Sequence, residues 1–338
     1  KKIINYQRFS SNKIIVHQGK RLTMHPIKLF LSLLFISHSI FAQFQPQTED
    51  ELHTAVDLWV DDNASALATY GDINTWDVSL ITYMTGLFQD KNSFNSNISS
   101  WNVSNVIHMG WMFSGASSFN QDLSSWDVSN VTEMQNMFYG ASSFNGDLSS
   151  WDVSNVRVMS AMFLNAINFN SDLSSWDVSA VNNMFDMFGS ASSFNGDLSS
   201  WDVSSVTAMG FMFSQASSFN GDLSSWDVSS VTNIEWMFAG ASSFNGDLSS
   251  WDVSSVTDME HMFHGTSNFN GDLSSWDVSS VTEMQAMFNG ASSFNGDLSS
   301  WDVSSVTSMN GMFVGAESLS DENKCAIHTS WSSNENWP

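Results

Sequence analysis

Apolar residues recur along this chain with a 25-residue period, and within each period their spacing changes character. In the unit beginning at Trp126, Trp126 and Val128 alternate with Asp127, the two-residue rhythm of a short strand. Val131, Met134, Met137 and Phe138 then follow at i, i+3, i+6 and i+7, which predicts one apolar face of a helical turn. Ser129 and Thr132 are the candidate caps of that turn. Gly140 and the Ser142-Ser143 pair end it, and Phe144-Asn145-Gly146-Asp147 returns the chain to the next unit.

Trp marks the period at 76, 101, 126, 151, 176, 201, 226, 251, 276 and 301, with no insertion between copies. Met fills two further columns (84 to 309 and 112 to 312) and Phe two more (88 to 313 and 94 to 294). One unit cannot bury these side chains alone, whereas stacked units can. The period lies within the leucine-rich-repeat range of about 20 to 29 residues, and Leu123-x-x-Trp126-x-Val128 has the corresponding spacing. The expected fold is therefore a tandem-repeat solenoid, leucine-rich-repeat-like, with one short parallel β-strand and one short helical turn per coil. Residues 71–318 form its ten repeats. Thr48-x-x-Glu51 opens a helical N-terminal cap over 43–70, and 319–338 reads as a C-terminal cap containing a short helix.

Charge adds a location. The formal net charge is −25, yet most Lys and Arg precede residue 29. From Met24 the chain reads MHPIKLFLSLLFISHSIFAQ, a signal-peptide pattern ending near Ala42 and too short for a membrane span. Residues 24–42 are read as that signal and 1–23 as upstream read-through sequence. Beyond them only Lys91, Arg157 and Lys324 oppose all 35 acidic residues, so the remainder carries 3 − 35 = −32. Such a surface disfavours nucleic acid and anionic membrane and attracts cations or basic partners. The single Cys325 excludes an internal disulfide and leaves a buried apolar role or an intermolecular bridge, of which the buried role is expected.

The repeats differ mainly between and after the two Met columns. Counting each Trp as position 0, position 10 runs Gly86, Trp111, Asn136, Ala161, Asp186, Phe211, Trp236, His261, Ala286 and Gly311. Trp111, Phe211, Trp236 and His261, with Phe185 and His264 beside them, are the candidate partner-binding residues: an exposed strip on which a protein or polysaccharide could stack. The alternative for the strip is drift on a tolerant surface. The Asp column after Trp (Asp127, Asp152, Asp177, Asp202, Asp227, Asp252 and Asp277) either accepts hydrogen bonds from Ser and backbone donors or forms a row of weak Ca²⁺ sites. No other cofactor is expected. Ser is tied to the repeat, the His residues share no column, and no glycine-rich phosphate loop precedes a helix, so an enzyme is not expected.

The unit WDVSxVTxMxxMFxGAxxFNGDLSS resembles the repeat of BspA-like leucine-rich-repeat surface proteins, of the type found in mycoplasma lipoproteins, over residues 70 to 320. The resemblance implies an extracellular or cell-surface location and adhesion to proteins or host surfaces, without catalysis. The chain departs from the leucine-rich pattern in placing Val131 where a buried Asn is usual. A structural or Ca²⁺-ordering matrix role is the alternative expectation.

Overall fold

The computed structural model describes residues 43–337, which fall within one compact unit of the chain. Two helices come first, α1 (Glu49–Asp61) and α2 (Asn63–Tyr70). The Thr48 side chain accepts from the Glu51 amide, while the Glu51 carboxylate reaches back to the amide of Gln47 and not to that of the cap residue itself. Leu52, Ala55, Val56 and Trp59 form the buried side of α1. At the other end α3 (Asp321–Trp331) buries Ile327 and Trp331, starting from a Ser320 cap. Cys325 lies exposed on α3, contrary to the buried role expected from its apolar character. No described helix is long and apolar enough to cross a membrane. The segments read as upstream sequence (1–23) and signal (24–42) lie outside the described residues.

Between the helices the 25-residue coils lie one upon the next, but they contain neither of the elements that the apolar rhythm predicts. Among the described residues there is no β-strand, and beyond the single 3₁₀ turn at Ile73–Thr75 no helix interrupts the repeats. The leucine-rich-repeat-like fold, with a strand and a helical turn per coil, is thereby overturned. What remains of a sheet is one parallel bridge per coil, from Tyr83↔His108 to Glu283↔Ser308.

Hydrogen bonding explains the difference. Around Trp126–Val128 no backbone amide reaches a neighbouring coil; tight turns close just before and after, from Trp126 N to Leu123 O and from Val131 N to Val128 O. Three extended residues between two turns cannot make a ladder. In the segment that looked helical, alternate amides leave the coil: Met109, Trp111, Phe113 and Gly115 donate to the carbonyls of Glu133, Gln135, Met137 and Tyr139 in the next coil. The amides between them stay at home, with Met112 bonding to Met109 and Ser114 to Trp111. In a parallel sheet the intervening amides would cross to the opposite neighbour, and in a helix both sets would bond within the coil; here one set goes out and the other closes local turns.

The division requires left-handed residues. Position 10 has positive φ in every coil, from Gly86 at +65° through Trp236 at +54° to Gly311 at +71°. Position 14 does the same, and there six of the coils use Gly (Gly115, Gly140, Gly240, Gly265, Gly290, Gly315). Each left-handed residue curls the chain back after an outgoing bond.

The Trp, Met, Phe and Leu columns make one continuous core. Trp earns its place by a polar bond. The indole of Trp151 donates to the Leu123 carbonyl (3.0 Å), which also receives the Trp126 amide of its own coil (3.1 Å). Both lone pairs of a buried carbonyl are thus used, and the pair repeats from Trp101 to Trp301. Phe rings stack along the coils in parallel, as in Phe113 on Phe138 at 5.4 Å. The Asn column adds an outer clamp, with Asn145 accepting from the Asn170 amide (2.8 Å).

Candidate functional site

The Asp column is occupied by its own coil. Asp127 accepts from the amide (3.1 Å) and the hydroxyl (2.6 Å) of Ser129, and Asp152, Asp177, Asp202, Asp227 and Asp252 bond their own Ser in the same way. Asp277 accepts from the Ser279 amide. These bonds hold Asp127, Asp177, Asp202, Asp227 and Asp277 below the usual carboxylate range. Where neighbouring Asp residues act on one another, as Asp152 does on Asp177, the effect ranks behind the serine bonds. The column stands where Asx turns need it, and no three of its carboxylates converge.

The aromatic strip is more coherent. Phe185 and Phe211 meet at 5.4 Å (52° between planes), Phe211 and Trp236 at 5.8 Å (9°), and Trp236 and His261 at 4.0 Å (9°). His264 tilts against Trp236 at 5.7 Å. The result is an aromatic ledge spanning four successive coils. Gly210 makes room for it, since a Cβ there would come within 3.0 Å of the Phe185 ring. Trp111 does not join: it stands three coils away, 37% exposed, with Tyr139 at 6.4 Å.

The ledge differs from the expected strip in one respect. Only Phe185 is exposed; Phe211, Trp236 and His261 are half-buried because their planes lie nearly parallel from coil to coil. Trp236 therefore offers the solvent chiefly its edges, its faces being turned to Phe211 and His261.

Backbone conformation bears on why the ledge exists. A left-handed position costs a side chain with a Cβ about 1–2 kcal/mol. At position 14 the sequence mostly avoids that cost with Gly, whereas at position 10 only Gly86 and Gly311 do so. A stacked aromatic pair returns about 0.5–1.5 kcal/mol. Ala161, Asp186 and Ala286 bear the same strain without an aromatic stack, so the strain belongs to the position and the stack is particular to the coils that carry the ledge.

Acidic groups border the ledge. Glu235, Asp258 and Glu260 each place a carboxylate oxygen within 4.8 Å of the others, all half-buried. Burial, and then the charge of Asp258, pushes the Glu235 carboxyl above its ordinary value, with Glu260 adding to the effect. His261 Nδ1 lies 3.0 Å from Glu260 Oε1 without hydrogen-bond alignment, and burial holds the imidazole below its usual pKa against the pull of Glu260. His264 Nδ1 is buried with no partner. At the other end, the Asp186 carboxyl folds over Gly189 beside Leu164, and burial pushes it up to about 7.

Position 10 alone did not disclose this acidic border, which comes from positions 7 and 9 of adjacent coils. The sequence clue was there: those positions vary as freely as position 10 and flank the same Met column.

No curated protein and no solved structure matches the chain. A family model does, at residues 60–172, 145–251 and 234–334, three overlapping spans that take in all ten coils. The family is described as "Mycoplasma protein of unknown function", DUF285, and by matches over this much of its length the chain belongs to it.

Proposed function

We propose that this chain is a recognition protein, acting outside the cell or at its surface, that binds a macromolecular partner along the Phe185–His261 ledge and performs no catalysis. The observation that carries this reading is the row of Phe185, Phe211, Trp236 and His261 across four coils, where most other coils place Gly, Asn or Ala at position 10. Large rings gathered in a row, at the rim of a stacked core, serve contact. The resemblance of the repeat to BspA-like surface proteins supports an adhesive role. The signal-like segment at 24–42 supports export. Non-catalysis is favoured by the Asp, Ser and Asn columns, whose polar groups are committed to turns and clamps. A Ca²⁺-ordering role would have to draw on those same committed carboxylates, and recognition is preferred for that reason.

The test is a binding screen of the full chain and of Trp236→Ala against arrays of extracellular proteins and of polysaccharides. A saturable hit weakened tenfold or more by Trp236→Ala, with an unchanged circular dichroism spectrum, supports the ledge. Hits that bind both forms equally place recognition elsewhere and refute it.

A further inference from the structure

Resting on that reading, we infer that the partner presented to the ledge is a basic polypeptide segment, whose Lys or Arg stems lie on the aromatic edges and whose charged heads reach Glu235, Asp258 and Glu260.

Charge complementarity is the first ground. Three carboxylates within 4.8 Å of one another repel, and Glu235 is held partly out of water among them. Among the described residues Lys91 pairs with Asp57 and Lys324 with Asp321, and no Lys or Arg pairs with this cluster. The chain as a whole carries −25, so the field around the ledge draws cations toward it. A neutral ligand would leave the repulsion in place, whereas an ammonium or guanidinium relieves it with directed hydrogen bonds.

Ring orientation is the second ground. A sugar stacks on an open aromatic face, but the faces of Trp236 are turned to Phe211 and His261. Ring edges suit the aliphatic stem of a long basic side chain, which buries its methylenes and keeps its charge at the tip. An inorganic cation would satisfy the carboxylates and gain little from the rings. The ledge runs through four coils at about 4.8 Å each, a length that an extended segment of some five residues would cover.

The experiment titrates the full chain with a fluorescent deca-arginine peptide, a glycine-serine peptide of equal length, and Ca²⁺ alone. Three variants accompany it: Glu235→Gln/Glu260→Gln, Trp236→Ala, and the charge-matched Asp147→Asn/Asp172→Asn. Asp147 and Asp172 accept the amides of Ser149 and Ser174, and the last variant keeps those turns because Asn97, at the equivalent position of an earlier coil, accepts the Ser99 amide in the same way. Binding of deca-arginine that falls at least tenfold in Glu235→Gln/Glu260→Gln and in Trp236→Ala, but less than twofold in the control, is the expected result. Equal losses in the carboxamide variant and the control mean diffuse attraction to an acidic surface and overturn the inference. So does Ca²⁺ binding that the carboxamide variant abolishes, unaccompanied by site-specific peptide binding. A neutral polysaccharide lost in Trp236→Ala but kept in Glu235→Gln/Glu260→Gln would overturn the basic partner and leave the recognition reading standing. If Trp236→Ala alters no binding at all, both fall together. Melting temperature is followed throughout, so that an unfolded variant is not scored as a binding loss.

Discussion

Replacing Asp186 with Asn should make the protein more stable, and by an amount that grows with pH. The carboxyl lies half-buried over Gly189 and beside Leu164, with its pKa raised by burial to about 7. In the unfolded chain it titrates near 3.8. A carboxyl whose folded pKa is raised contributes stability that is present in full below about pH 4 and lost as the pH climbs through 7. The difference of some three pKa units is about 4 kcal/mol at most. Since the group still reaches water, about 2 kcal/mol is the realistic figure. Asn cannot ionise, and it suits the left-handed backbone at φ +59°, as Asn136 shows at the same position of another coil. Urea unfolding of both proteins between about pH 4.5 and about pH 8.5 measures the effect. The gap between their stabilities should open steadily with pH and level off above about pH 7. Titration of the Ser-bonded Asp columns and of Glu235 is common to both proteins and drops out of the difference. A gap that stays constant across the range would show that Asp186 is solvated, and would refute the burial ascribed to it.

Two further substitutions probe the coil itself. Trp201→Phe removes the indole bond to the Leu173 carbonyl (3.0 Å), which keeps only the Trp176 amide, and should cost about 1–3 kcal/mol; an unchanged denaturation midpoint would mean that the indole bond is idle. Gly265→Ala adds a Cβ whose nearest neighbours are 3.9 Å away, so its expected loss of about 1–2 kcal/mol comes from the left-handed backbone at φ +66° alone. Thermal melting that is indifferent to that change would contradict the turn geometry described for position 14.

Periodicity made the repeat and its core legible. Trp, Met and Phe recur in register, and those columns are buried. The local path was not legible, for a reason visible in the residues. Val131, Met134, Met137 and Phe138 carry the spacing of a helical face because each points inward, yet they do so from successive tight turns. Inward direction is what a hydrophobic pattern records, and two different backbones can supply it. The decisive dihedral belongs to position 10, where Trp, Phe, His, Asp and Ala stand in a conformation that sequence reasoning reserves for Gly or Asn. Position 14 gave the better hint through its glycines, but it read as the end of a helical turn. The ledge was half visible: Phe211, Trp236 and His261 were found from their shared position, while Glu235, Asp258 and Glu260 meet only when neighbouring coils are laid together.

Each coil sends the amides of positions 8, 10, 12 and 14 to the following coil and that of position 6 to the preceding one, so its two sides differ, and this gives the stack a polarity with a consequence for its size. Every junction between coils is the same head-to-tail contact repeated by translation, a symmetry with no closure of its own. Nothing within the series tells one junction from another, so a stack of eight or twelve coils would satisfy the same contacts as ten. Finiteness is imposed from outside, by α1 and α3, which cover the first and last coils with side chains while offering no further row of donors or acceptors in register. Length is then a free variable, changeable in whole coils, and the ledge is located only by the few side chains in which one coil departs from its neighbours.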